Sequence, residues 1–267
     1  MSGYVAATAA EAAHSEDLFV RILRGDRSPA LAQAVRPLGF LLGTLSLGSE
    51  TLTVLREAAE AETGKGFYVA RMPSPGIAPV ALQAPHRSDD LGTGTIIARL
   101  LTGERRFAAA AWNTVPRRYD DPSGRRIDSD LAHAPVSHFN AFTRAFGRAY
   151  PGGLVAQIHG FEQGRRNGQA SASADMILSG GTSSPGPQVR ARAACLRATS
   201  EPWEVRLYPD DVRELGGTTN TNAAALRALG GPTEFLHVEM ARELRQRLMR
   251  ESSLRTRLAA CLVGSRG

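Results

Sequence analysis

Along this chain, short apolar runs alternate with segments whose apolar residues recur every three or four positions, the rhythms of buried strands and amphipathic helices. Residues 1–75 read as a lead-in, with helical spacing over 16–23 and 28–35. A stronger helix is expected from Ser49-Glu50, because Leu52, Leu55, Ala58 and Ala59 recur at helical intervals before Gly64 and Gly66 stop it. A strand over 67–71 follows, closed by Pro73, Pro75 and Gly76. From residue 78 the order becomes strand, loop, helix. Strands are expected at 80–84, 107–112, 154–159, 176–179, 203–208 and 234–239. Helices are expected at 96–101, 189–198 and 222–229, with a long one over 242–262. Another starts at Ser137, which can cap it, with Phe139, Phe142 and Phe146 on one face and Arg144 and Arg148 elsewhere. The polar stretches 117–130 and 180–187 read as loops.

Alternating strands and helices predict the α/β class, here a three-layer α/β/α sandwich around a mixed, largely parallel sheet of the phosphorylase/hydrolase-like kind. The 267 residues suit a single domain, with 1–75 leading into a core over 76–267. The two cysteines, Cys195 and Cys261, form no CxxC pair, so neither a disulfide framework nor a cysteine zinc site is expected, and Cys195 reads as a small buried helical residue. A metal would need His, Asp and Glu, the ligand style of catalytic zinc.

The net charge of +6 raises the question of nucleic acid. The basic residues are mostly dispersed arginines, in pairs such as Arg117-Arg118 and Arg165-Arg166, and no basic stripe is interleaved with aromatics. Attraction for an anionic substrate is the simpler expectation, and no nucleic-acid partner is expected. No run reaches the ~20 apolar residues of a membrane span. The first 17 residues lack a basic start and a continuous apolar core, so no signal peptide is read there and the cytoplasm is the default compartment. Oligomeric state stays open.

Ligands of open α/β sheets gather beyond the carboxyl ends of strands. His86 lies just past the 80–84 strand, His159 ends the 154–159 strand, and Glu239 ends the last one. Asp89 and Asp90 follow the first histidine closely. Two histidines and one carboxylate make a three-ligand zinc site with room for water, and a further carboxylate can act as general base on that water. Each piece has an ordinary alternative. A histidine at a strand end is commonly structural, Asp90 could cap the next helix, and Glu239 could pair with Arg242 or Arg245. The coincidence at three strand ends favours the site.

The segments Pro85-His86-Arg87-Ser88-Asp89-Asp90-Leu91-Gly92-Thr93, Gln157-Ile158-His159-Gly160-Phe161 and Phe235-Leu236-His237-Val238-Glu239 together resemble the zinc carboxypeptidase-like amidohydrolases. Within that superfamily they are similar to the phage poly-gamma-glutamate hydrolases and the N-formylglutamate amidohydrolases. The resemblance implies an α/β/α sandwich, one zinc per chain, and hydrolysis of amide or peptide bonds near a substrate carboxylate. It makes His86 and His159 ligands and Glu239 the general base. A carboxypeptidase spacing selects Asp89 as the carboxylate ligand. The poly-gamma-glutamate spacing, with its Gly-Thr turn, favours Asp90, the residue preferred here. An Asp in place of the family's Glu is one methylene shorter and requires a closer backbone.

Around these, Asn113 and Arg117 match positions that hold a substrate carboxylate. Asp130 is placed to orient a zinc-bound histidine, His133 to reach substrate, and Asn220 lies in a late loop that reads equally as a helix cap. His237 shares a strand face with Glu239 and reads as a packing or supporting residue; His138 reads as structural. No HExxH, P-loop, GxSxG or dinucleotide fingerprint occurs. An esterase or deacylase on the same fold, and a non-catalytic binding protein, are the alternatives.

Overall fold

The structure, a computed structural model, describes residues 3–58, 62–73, 76–200 and 203–264. Ala59 and Pro75, invoked above, lie outside them. In chain order the elements are α1 (Ala9–Leu23), α2 (Pro29–Ala34), β1 (Phe40–Leu47), β2 (Glu50–Glu57), β3 (Phe67–Ala70), β4 (Val80–Ala84), α3 (Thr93–Gly103), β5 (Phe107–Trp112), β6 (Arg118–Asp120) and β7 (Arg126–Asp128). They continue with α4 (His138–Ala149), β8 (Leu154–Phe161), α5 (Gln169–Ala172), β9 (Met176–Ser179), α6 (Pro187–Arg197), β10 (Val205–Leu207), α7 (Thr221–Ala228), β11 (Glu234–Ala241), α8 (Arg242–Arg250) and α9 (Ser252–Val263).

Nine strands form one mixed sheet in the order β1-β2-β3-β5-β4-β8-β11-β9-β10. Its centre, β5-β4-β8-β11, is parallel throughout. These strands are apolar on both faces, as a sheet covered on both sides requires. One face packs against α3, α6, α8 and α9, the other against α1, α4 and α7, so the molecule is an α/β sandwich. The chain leaves β4 through α3 to β5 on one side, then through α4 to β8 on the other. The strand order therefore reverses between β4 and β8, the kind of crevice where such sheets bind ligands.

On α4 the three phenylalanines share the buried face, and the Phe142 ring meets Phe19 of α1 edge-on at 5.2 Å. Ser137 caps the helix by accepting from the Asn140 amide. Arg144 and Arg148 pair instead with Glu16 of α1.

Several expectations change. The helix expected after Ser49 is strand β2: Leu52 and Leu55 suit either element, but Thr51, Thr53 and Val54 favour extended backbone. Gly48, at φ +59°, supplies the two-residue turn that pairs it with β1, a strand the apolar pattern did not single out. The residues expected to be a lead-in thus supply three strands of the sheet. The 117–130 stretch holds a two-stranded hairpin, β6–β7. The long C-terminal helix is two, broken at Glu251. Leu244 and Leu248 are buried at one phase, Leu254, Leu258 and Leu262 at another, and the break resets the face. Finally, Cys195 is exposed and bonded to Cys261, 66 residues away, tying α6 to α9. Two helices that pack side by side bring the cysteines together, which their sequence separation did not suggest.

His138 sits where α4 meets α1, with Nδ1 2.7 Å from Ser15 Oγ and its ring edge-on to Phe40. Burial, helped by the Lys65 charge, holds its pKa down to about 4. An unfolded histidine titrates near 6.5. The folded state thus holds this ring neutral: its contribution is full above pH 6.5 and is lost as pH falls toward 4. About 2 kcal/mol should be lost by pH 5. Chemical denaturation at pH 8 and pH 5 should show a drop smaller by that amount in His138→Gln; equal drops in both proteins rule the account out.

Candidate metal centre

The carboxyl ends of β4, β8 and β11 stand side by side. In register, Gln83 faces Gln157 and Gln157 faces His237; farther along, His159 faces Glu239. Strand alternation puts Gln157, His159, His237 and Glu239 on the α4/α7 face, with Val155 and Phe235. His86 opens the loop after β4. The amides of Asp89 and Asp90 both bond its carbonyl, a tight turn that returns the Asp90 carboxylate to its ring.

His86, Asp90 and His159 form the one His/Cys/Asp/Glu group of metal-binding geometry among the described residues, and all three are buried. His86 Nδ1 lies 3.2 Å from His159 Nδ1 and 3.4 Å from Asp90 Oδ2, which is 3.5 Å from His159 Nδ1. Three ligands of a tetrahedral metal at about 2.0–2.1 Å stand about 3.3–3.4 Å apart, so this triangle fits zinc. Both Nε2 atoms are committed elsewhere. His86 Nε2 lies 2.7 Å from Asp130 Oδ1, and His159 Nε2 2.8 Å from Gln157 Oε1. Each of those oxygens accepts, so each Nε2 donates, which leaves the two Nδ1 atoms facing each other and the Asp90 carboxylate. Two imidazole nitrogens and a carboxylate oxygen this close, away from water, need positive charge among them, either a proton or a metal ion.

The electrostatics agree. Burial works against charge on His86, but Asp130 and Asp90 outweigh it and raise the pKa to about 9. Burial and the neighbouring His237 lower His159 to about 4. Burial opposes ionisation of Asp90 and Asp130, yet the histidines beside them hold both below the usual carboxylate range.

Glu239 lies in the same cavity, of about 500 Å³. Despite burial, its pKa is lowered, chiefly by His237. His237 Nε2 donates to Oε1 at 3.2 Å, and Oε2 is buried with no hydrogen-bond partner among the described residues. The His237 ring is held between the His159 ring, 4.4 Å away, and Gly217 at φ +57°, where a Cβ would come within 2.9 Å. A buried carboxylate oxygen without a donor suits a group awaiting water or a proton. Glu239 makes no pair with Arg242 or Arg245, which turn to Glu162.

The other expected residues divide. Asp130 orients His86 and also contacts His133, which lines the cavity. Arg117 lines it too, its guanidinium free of partners among the described residues. Asp89 is exposed and accepts from the Arg117 amide rather than joining the metal group. Asn113 is fully buried away from the cavity, bonded to Ser129 and Val115. Asn220 lines the cavity but spends its side chain on the α7 cap and on Gln157. The 180–187 loop contributes nothing to this wall. Gly160, Phe161, Glu162, Arg165, Arg166, Leu215, Gly217 and Arg245 do.

Arg245, which the sequence offered only as a partner for Glu239, donates to the carbonyls of Leu91, Phe161 and Met240 and so ties the loop after β4 to the ends of β8 and β11. A Cβ at Gly160 would meet its guanidinium at 2.3 Å, so only glycine fits there. A larger hollow, about 900 Å³, lies on the opposite face among Leu52, Phe67, Val69 and Trp112, with no histidine.

No protein-family model and no curated protein sequence matches the chain. Solved structures of similar shape include a zinc-free YndL, 13% identical over 73% of this chain and 87% of that one, TM-score 0.44. A bacteriophage poly-gamma-glutamate hydrolase is 10% identical over 76% and 88%, TM-score 0.46. A putative carboxypeptidase A from Shewanella denitrificans is 12% identical over 86% of this chain and 66% of its own, TM-score 0.46.

Proposed function

We propose that the chain is a zinc-dependent hydrolase that cleaves an amide or peptide bond near a carboxylate of its substrate. The observation that carries this is the triangle of His86 Nδ1, His159 Nδ1 and Asp90 Oδ2, with edges of 3.2 to 3.5 Å beside the unpartnered Glu239 Oε2. Zinc, when bound, supplies Lewis acidity to a water and to the scissile carbonyl. The chain does the rest. Asp130 and Gln157 fix the two imidazoles, and His237 anchors Glu239 through Oε1. Glu239 Oε2 takes the proton of the attacking water as general base and returns it to the leaving amine. Arg117, with its free guanidinium on the cavity wall, meets the substrate carboxylate, and His133 stands at the same rim. A general base beside the ligands has no use in a pure binder, which sets the catalytic reading above the non-catalytic one.

Elemental analysis of the purified protein should find about one zinc per chain. Chelation should abolish, and zinc restore, amine release from N-acylated glutamates or gamma-linked peptides. A protein that binds no divalent metal, or that is metal-replete and releases amine from none of them, would refute the proposal.

A further inference from the structure

The structure assigns to Asn220 the setting of the His159 tautomer, through Gln157, from the N-terminus of helix α7. The inference rests on the metal reading above. Its starting point is fixed by backbone, whose amides can only donate. The amides of Asn222 and Ala223 point to the Asn220 side chain at 2.9 and 3.3 Å, so the atom they meet is Oδ1. The other end of that amide is therefore Nδ2, and it donates to Gln157. Gln157 must answer with its oxygen, Oε1. The same oxygen faces His159 Nε2 at 2.8 Å, so Nε2 carries the hydrogen and Nδ1 is left with its lone pair toward His86 and Asp90.

The rest of the row agrees with this direction. Gln157 Nε2 donates to Gln83 Oε1 at 2.9 Å, and Gln83 Nε2 donates to Thr143 Oγ1 at 2.8 Å. All these groups are buried, where a reversed amide would set donor against donor without water to relieve it. Asn220 is thus a positioning residue for the metal ligand, two hydrogen bonds away from it.

Exchanging one atom tests this. Asn220→Asp keeps the cap, because an oxygen still accepts from the helix amides, but it presents a second oxygen to Gln157. Gln157 must then turn its NH2 to that oxygen and to His159, and the hydrogen of His159 is driven to Nδ1, where it blocks the ligand position. Asn220→Ser also keeps the cap but leaves Gln157 free to present Oε1. Zinc dissociation constants are measured by chelator competition on the full chain, with melting curves to establish folding. The Asp variant should bind zinc about 10–100-fold more weakly, and the Ser variant should stay close to wild type. Equal affinities in the Asp variant and wild type overturn the assignment, as do equal losses in the Asp and Ser variants, the mark of a merely structural cap. An Asp variant that fails to fold while the Ser variant folds and loses zinc affinity also overturns it. Wild-type protein that binds no zinc refutes the metal reading itself.

Discussion

Glu239→Gln is expected to lower kcat by about 10²–10⁴-fold, with zinc content and melting temperature close to wild type. The substitution removes a base and little else. The side-chain oxygen of the glutamine still accepts from His237 Nε2, and the volume is unchanged. The folded state favours the charge removed, since the Glu239 pKa is lowered despite burial, so its neutralisation costs some stability, which the retained hydrogen bond and packing limit. His86→Ala should fail differently. It takes away one of three ligands and leaves Asp130 Oδ1 with the Ala132 amide as its remaining partner. Zinc content should fall well below one per chain, and activity should go with it. Zinc content by elemental analysis, read beside single-turnover rates, separates the two. Full metal loading in His86→Ala, or wild-type turnover in Glu239→Gln, would each remove its residue from the proposed mechanism.

What could be read in advance follows from the reach of each signal. Val80–Ala84, Phe107–Trp112 and Met176–Ser179 are strands at the bounds the apolar runs mark, because a strand buried on both faces is apolar at nearly every position and turn residues punctuate it. Leu52 and Leu55, three apart, match helical spacing, yet on β2 they serve opposite faces of a sheet covered on both sides, and β1 escaped notice because its polar and small positions lie on an exposed edge. The order His-Asp, His, Glu at three strand ends made the candidate site legible, since parallel strands bring their carboxyl ends to one place. The supporting residues were less so. Gln157, Gln83 and Arg245 act through contacts with segments dozens of residues away, and no local pattern marks a glutamine as the partner of a histidine two positions on. Asn220 had a visible cap signature, but its second bond, to Gln157, exists only once α7 is seated against β8. Asp89 and Asp90 differ through the loop after β4, where two amides on the His86 carbonyl form a tight turn, the Asp90 carboxylate lies against the His86 ring and that of Asp89 accepts from the Arg117 amide.

Reducing the Cys195–Cys261 bond, or replacing Cys195 with Ser, should lower the melting temperature by about 10 °C. The bond joins α6 to α9 across 66 residues. Closing a loop of that length in the unfolded chain is worth about 4 kcal/mol. In a chain of this size each kcal/mol moves the midpoint by about 2–4 °C. Cys195 is exposed, so its replacement opens no cavity, and the packing of Val189, Ala193 and Leu196 against Leu258 and Leu262 survives it. The effect should therefore be confined to the unfolded state, and dithiothreitol should bring wild type down to the variant while leaving the variant where it was. The helices concerned cover the sheet face opposite the metal cavity, so the folded variant should keep its zinc. Because such bonds persist mainly in oxidising surroundings, the same comparison bears on the cytoplasmic default drawn from the sequence. Two titratable thiols in the unreduced native protein, or a melting curve that neither reductant nor Cys195→Ser displaces, would show that the cysteines are unpaired in solution.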